Sequence, residues 1–342
     1  MKKSFICTTM WCFVAAGPVL AFEVNVSGQV SRMAVAPDDA EGDEIQFQDI
    51  GWSGTRFRFI GTRELSSGLK LGFRIEQQFQ SNPSFLATGG GQTDGGNDDF
   101  LDNRFQDIWV SGTFGKVALG KGDGASNGST EADLSGTVLS SSSNHQDNWG
   151  NYRVTAGVDG APGITWDSIF LMNDGLSRVN RLRYDTPTTG GFGAAVSLGQ
   201  GGSTEFGVKY MGGLVGTQVD ARAFFVDADD FADDAEIVGF SASFLHSTGV
   251  NLTVAFSDRD NGTALDQEAS TIKLGYKAGI HAVTIDYGDG ETGDVEADTF
   301  GLTYAARPAQ GWELFATYRD LDTDLDGAQS VDLVAVGSRV IF

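Results

Sequence analysis

The sequence predicts an all-β protein, a transmembrane antiparallel up-and-down barrel of about sixteen strands. Three observations carry this. The chain opens with an export segment, a hydrophobic period of two runs from residue 24 to the last residue, and the connections alternate between short turns and long acidic loops.

The export segment comes first. Lys2 and Lys3 precede an apolar run over residues 5–16, then Pro18 and the small-residue site Val19-Leu20-Ala21. Residues 1–21 therefore read as a signal peptide, and residues 22–342 as the mature barrel. The run falls short of the ~20 residues a membrane-spanning helix needs. Cys7 and Cys12 both lie within it, so the mature chain expects no disulfide, and Cys12 lacks the Leu-Ala-Gly context of a lipid anchor. Without Lys2 and Lys3 the chain keeps 21 basic residues against 46 acidic ones, a charge of −25. That repels nucleic acid and predicts a preference for cations.

The strands follow in order. Val24, Val26 and Val30 alternate with Asn25, Ser27 and Gln29, while Phe57 and Phe59 alternate with Arg56 and Arg58. Leu69, Leu71, Phe73 and Ile75 alternate with Lys70, Gly72, Arg74 and Glu76. The same period recurs at 192–198, 206–210, 250–256, 300–304, 312–318 and 334–342, so each segment has one apolar and one polar face. Short turns are expected at 64–68, 186–191, 211–216, 246–249 and 277–279. Long, mostly acidic loops are expected at 36–51, 227–234, 258–267, 288–296 and 320–329. Short turns on one side and long loops on the other suit an outer-membrane barrel.

Tyr184, Tyr210, Tyr276, Tyr304, Trp312 and Phe342 fall at the short-turn ends of their strands. Such aromatics favour the headgroup level and are expected as one membrane rim. Phe342, which ends the last strand, should sit at the seam where Val24 and Val26 of the first strand pair with it. Arg32 shares parity with Val24 and Val26 and is the misfit on the lipid face.

A barrel of this size is too wide for side chains to fill, so its lumen should hold water and be lined with polar groups. Arg56, Arg58, Arg74, Arg181 and Arg183 are the expected basic wall. The long third outer loop, 122–177, offers Asp123, Glu131 and Asp133 to face it, which would make a constriction with a transverse field.

Other motifs carry less. Asp322, Asp324 and Asp326 begin like a calcium loop, but the twelfth position is Leu333 and a strand follows, so they are at most a weak divalent candidate. Ser143 and His145 lie in one Gly/Ser-rich loop, whereas catalytic partners converge on rigid supports. No enzyme, cofactor or structural metal is expected.

Val26-Ser27-Gly28-Gln29-Val30, Thr55-Arg56-Phe57, Gly68-Leu69-Lys70, Gly72-Phe73-Arg74-Ile75-Glu76, Gly115-Lys116-Val117, Asn180-Arg181-Leu182-Arg183-Tyr184 and the terminal Phe342 together resemble the trimeric general porins of Gram-negative bacteria. The resemblance covers essentially the whole mature chain. It implies a sixteen-stranded homotrimer in the outer membrane, an inward-folded third outer loop, and passive diffusion of ions and small hydrophilic solutes. It also implies lipid, lipopolysaccharide and the barrel-assembly machinery as partners. The rival readings are a substrate-selective channel, an outer-membrane hydrolase and an adhesin barrel.

Overall fold

In a computed structural model, described over residues 22–86, 88–89, 101–158, 161–228, 235–262 and 265–342, the alternating segments form one closed antiparallel sheet. The proposed signal peptide lies outside the described residues, as does most of the acidic loop 227–234. The first strands are β1 (Glu23–Asp38), β2 (Gln46–Asp49), β3 (Arg56–Glu64), β4 (Lys70–Gln78), β5 (Asp102–Gly112) and β6 (Gly115–Asp123). After a long loop come β7 (Arg178–Asp185), β8 (Phe192–Gly199), β9 (Thr204–Leu214), β10 (Thr217–Asp227), β11 (Glu236–His246) and β12 (Val250–Asp260). The last are β13 (Gln267–Ala278), β14 (His281–Thr292), β15 (Val295–Ala309), β16 (Trp312–Thr323) and β17 (Val331–Ile341).

β2 and β3 are halves of one wall strand. β3 pairs with β1 over residues 23–29, β2 pairs with it over residues 32–35, and residues 50–55 interrupt them. Counted so, the wall has sixteen strands. β17 pairs with β1 from Gln29↔Ile341 to Asp38↔Asp332 and closes the barrel, leaving no open edge.

At the seam Phe342 meets Gly28, not Val24 and Val26, which pair instead with Gly61 and Phe59 of β3. The reason is stagger: strands of a closed barrel tilt, and β17 ends level with Gln29, the seventh residue of β1. The expected loop over 288–296 is also mostly strand, because β14 runs to Thr292 and β15 restarts at Val295. The two-residue turn between them uses Gly293 at φ 62°.

Alternation sorts the two faces. On β14, Val283, Ile285 and Tyr287 are exposed to the outside, while Ala282, Thr284 and Asp286 are buried toward the inside. Beyond the outward Phe256, Tyr287, Phe300 and Tyr318, the same outward parity continues into carboxylates: Asp258, Glu268, Asp289, Glu291, Asp298, Asp320 and Asp332. These seven carboxylates therefore face away from the lumen. Arg32 also faces outward, where Asp49 holds it at 2.7 Å and Ser81 Oγ accepts its proton at 2.8 Å.

The lumen is not wholly polar. Leu139, Trp149, Tyr152, Trp166, Phe170 and Met172 of the long loop form an apolar cluster with inward Met33, Val35, Ala255, Ala269, Ala297, Leu321, Val331, Leu333 and Ala335. Small wall residues make the room. A Cβ added to Gly290 would lie 2.9 Å from the Phe170 ring, and one on Gly288 3.1 Å from the His145 ring. Sixteen strands thus enclose both a packed core on the β12–β17 side and open space on the other.

Candidate constriction site

The loop between β6 and β7 is held in the lumen through its backbone, by serines that face inward from the wall. Ser197 Oγ accepts from the Ala125 amide at 2.8 Å, and Ser241, Ser243 and Ser257 each accept at 2.9 Å from the amides of Ala132, Leu134 and Asn173. A hydroxyl is small enough to let the loop backbone approach and polar enough to satisfy a donor that water no longer reaches. Buried ion pairs fasten the far side. Asp286, fully enclosed and paired with Arg319 at 2.8 Å, accepts from Ser141 Oγ of the loop, and Lys273 holds Asp133 at 2.6 Å while also reaching the Ser141 carbonyl.

Fastened there, the loop leaves two cavities against the opposite wall. The larger, ≈ 730 Å³, is bordered by β3, β4, β5 and β17; the smaller, ≈ 540 Å³, opens toward the short turns beside Lys116, Thr186 and Lys209. Arg74, Asp123 and Asn127 line both cavities and so mark the neck between them.

The expected basic residues divide around this neck. Arg56, Arg58 and Arg74 line the larger cavity, and Arg183 lines the smaller, paired with Asp185 at 2.7 Å. Arg181 also borders the smaller cavity but is largely consumed by the wall, donating to Asp107 at 2.8 Å and to the carbonyls of Gly120 and Asp123. Of the expected acids, Asp123 stands at the neck and Glu131 in the larger cavity, whereas Asp133 lies against Lys273 on β13, away from the arginines.

Arg104, Arg178, Asp147 and Asp174 also line the larger cavity, and sequence reasoning did not single them out. A register shift at Glu76/Gln77 explains Arg104: it breaks the parity that would have flagged it, and turns the guanidinium onto Glu76 at 2.8 Å. Asp147 and Asp174 lie within the loop, where no period exists to read. Burial, and then the charge of Asp174, pushes Asp147 up to about 7. Glu131 is likewise raised by burial and by Asp174 and Asp147, and Asp174 by burial.

Together the two cavities are lined by eleven Lys/Arg and seven Asp/Glu side chains. Basic side chains therefore outnumber acidic ones on the surface of these two cavities, although Asp107, Asp220 and Glu313 behind that surface pair with Arg181, Arg222 and Arg339.

The remaining candidates are placed as follows. Tyr184, Tyr276, Tyr304, Trp312 and Phe342 are exposed on the outer surface near the short turns; Tyr210 is half-buried against the Phe192 ring at 4.6 Å. Tyr184 donates to the Phe114 carbonyl at 2.7 Å, and Trp312 Nε1 to Ser338 Oγ at 3.1 Å. Asp322, Asp324 and Asp326 do not converge: Asp324 accepts from the Glu296 amide, and among the described residues no group of three acidic, His or Cys side chains could hold a metal. His145 is buried beside Phe170, with neither ring nitrogen hydrogen-bonded, and burial together with Arg319 keeps it neutral. Ser143 Oγ donates instead to the Thr130 carbonyl at 2.5 Å.

Comparison with known proteins agrees with this architecture. Residues 8–326 match the sequence model of a family described as Gram-negative porin. No curated protein sequence matches the chain. Among solved structures, the anion-selective porin from Comamonas acidovorans aligns over 94% of this chain and 100% of its own, at 19% identity and a TM-score of 0.67. The trimer form of OmpT from Vibrio cholerae aligns over 94% and 100% at 16% identity and 0.59. A mutant of the Rh. blastica porin aligns over 94% and 100% at 14% identity and 0.56.

Proposed function

Because the chain belongs to the Gram-negative porin family, it is an outer-membrane channel, and we propose that small hydrophilic solutes diffuse through it with anions favoured over cations. The observation that carries the preference is the lining of eleven basic against seven acidic side chains. A charged constriction acts on a passing ion at close range, while charges beyond ~8–10 Å are screened by salt. The charge of −25 expected of the mature chain favoured cations, but outward carboxylates such as Asp289 and Asp298 lie on the other face of the wall. That the Comamonas acidovorans structure is titled an anion-selective porin fits the same reading.

The proposal extends to a homotrimer that meets along the wall of β1–β5. Most outward positions of the wall are apolar, yet here Arg32, Asp49, Gln77, Asn103 and Gln106 interrupt the band, and Gln77 and Gln106 both bond Asn103. Polar groups at that level are costly against lipid and comfortable against a second subunit. Lipid and lipopolysaccharide would cover the rest of the wall, and the barrel-assembly machinery would act at insertion.

The reversal potential across a planar bilayer with a KCl gradient tests the preference. A sign set by chloride supports it; a sign set by potassium refutes it.

A further inference from the structure

The geometry points to a property beyond charge preference: we propose that the corner of the larger cavity around Ser53 is a saturable site for a tetrahedral dianion of the phosphate class, inorganic phosphate or a phosphate monoester. The proposal rests on the anion-passing reading above and adds a resting place for the anion on its way.

Charge stoichiometry is the first ground. Glu76, with 3% of its side chain exposed, is approached by Arg104 at 2.8 Å, Arg58 at 3.2 Å and Arg56 at 3.7 Å. Arg339 meets Glu313 at 2.7 Å, but Glu313 is shared with Arg307 at 3.1 Å. Four guanidiniums therefore border one carboxylate and part of another. This local excess of at least two positive charges matches a dianion, while the cavity as a whole is lined by six basic and six acidic side chains. Among the described residues, no ion pair joins Glu131, Asp147 or Asp174 to these four arginines.

Hydrogen-bond arithmetic is the second ground, and it is independent of charge. Ser53 Oγ, in a residue only 2% exposed, lies 2.9 Å from Gln29 Nε2, 2.9 Å from Arg339 Nη1 and 3.4 Å from Arg56 Nη2. Three donors point at an oxygen with two lone pairs. The enclosed Nε atoms of Arg56 and Arg339 make no hydrogen bond, and that of Arg58 meets its only acceptor, Glu76 at 3.2 Å, outside hydrogen-bond geometry. Enclosed donors without acceptors are uncommon in folded proteins, and these belong to guanidiniums that border the cavity, where an anion would supply the acceptor once the side chains turn toward it. A planar carboxylate suits one guanidinium fork; donors arriving from β3, β5 and β17 surround a centre from several sides and suit four oxygens on a tetrahedron.

The test is chloride current through the reconstituted channel at pH 7.5, titrated with inorganic phosphate at constant ionic strength. Current is expected to fall to a plateau, with a half-effect concentration raised about tenfold or more in Arg58→Gln and in Arg339→Gln. Arg58→Lys, which keeps the charge and loses the fork, should weaken the half-effect as well. Lys116→Gln, in the smaller cavity, should shift it by no more than about twofold whatever it does to conductance. Each variant is first checked for a heat-modifiable folded band.

A linear response without a plateau overturns the site, as does an unchanged half-effect in folded Arg58→Gln. Reversal potentials on the same membranes separate the two readings. A chloride-set potential with no phosphate plateau removes the site alone, and a potassium-set potential removes the anion preference beneath it.

Discussion

Gly28 and Phe342 close the barrel by exchanging both of their backbone hydrogen bonds, at 2.9 and 3.0 Å. The Phe342 ring lies over the glycine, where an added Cβ would stand 2.7 Å from the ring's Cζ and 2.6 Å from the Arg56 carbonyl. Gly28→Val is therefore expected to destabilise the seam by about 1–3 kcal/mol through overpacking. Deleting Phe342 should lower the yield of folded trimer more than it changes single-channel conductance. Heat-modifiability on a gel, scored beside bilayer currents, measures both. Normal trimer yield from the deletion would count against the seam's importance.

Selectivity should depend on pH. Asp147 titrates at about 7, and Glu131 and Asp174 are raised in the same direction, so all three gain charge as pH rises through neutrality. Once ionised, they offset the arginines opposite. The chloride-to-potassium permeability ratio should fall from about pH 5 to about pH 9, and Asp147→Asn should flatten the change. Stability follows the same sign: between the ordinary carboxyl range and about 7 the folded state holds protons that the unfolded chain has released, so stability declines as pH rises through that window. A ratio constant with pH would show that these carboxyls do not face the permeating ion.

Arg319 and Asp286 both belong to the wall, and their ion pair holds the carboxylate that accepts from Ser141 Oγ of the loop. Arg319→Met leaves a buried carboxylate without its partner and should cost about 3–5 kcal/mol, read as a lower urea midpoint in detergent. Arg319→Met with Asp286→Asn should recover part of that loss. Single-channel current should grow noisier in the single variant, because the loop it releases borders the pore. A silent trace at full stability would argue against the anchor.

Several outward carboxylates face one another directly across strands: Asp258 with Glu268, Glu268 with Glu291, Asp289 with Asp298, Asp298 with Asp322, and Asp320 with Asp332. Like charges at such positions are destabilising by roughly 0.2–1 kcal/mol each and are weakened by salt. Melting in detergent should move upward with added NaCl. Asp298→Asn, which relieves two of the pairs, should stabilise the protein most at low ionic strength and little at high. Equal melting at both ionic strengths would mean the pairs are already neutralised.

The wall was legible because its signal is local. Each strand reports its two faces through neighbours two residues apart, and that is how Arg56, Arg58 and Arg74 were distinguishable from Phe57, Phe59 and Phe73. The filling of the lumen was not legible, because Trp149, Trp166 and Phe170 sit in a segment without periodicity, and their seats are Ala and Gly positions such as Ala297 and Gly290 that look merely small. Asp133 illustrates the same limit. Its partner Lys273 lies 140 residues away, and nothing near either residue announces the pairing. The seam register needed the barrel's stagger, which is a property of the closed sheet and of no single strand.

Leu321 of β16 and Leu333 and Ala335 of β17 cover the aromatic cluster of a loop that left the wall almost two hundred residues earlier. β16 and β17 thus form the floor on which that loop rests. Zipping the chain shut and seating the loop become one cooperative event: a barrel closed around a misplaced loop would have no core behind its final strand, and a loop seated early would lack the surface that holds it. What the barrel encloses and what holds β16 and β17 in place are therefore the same contacts.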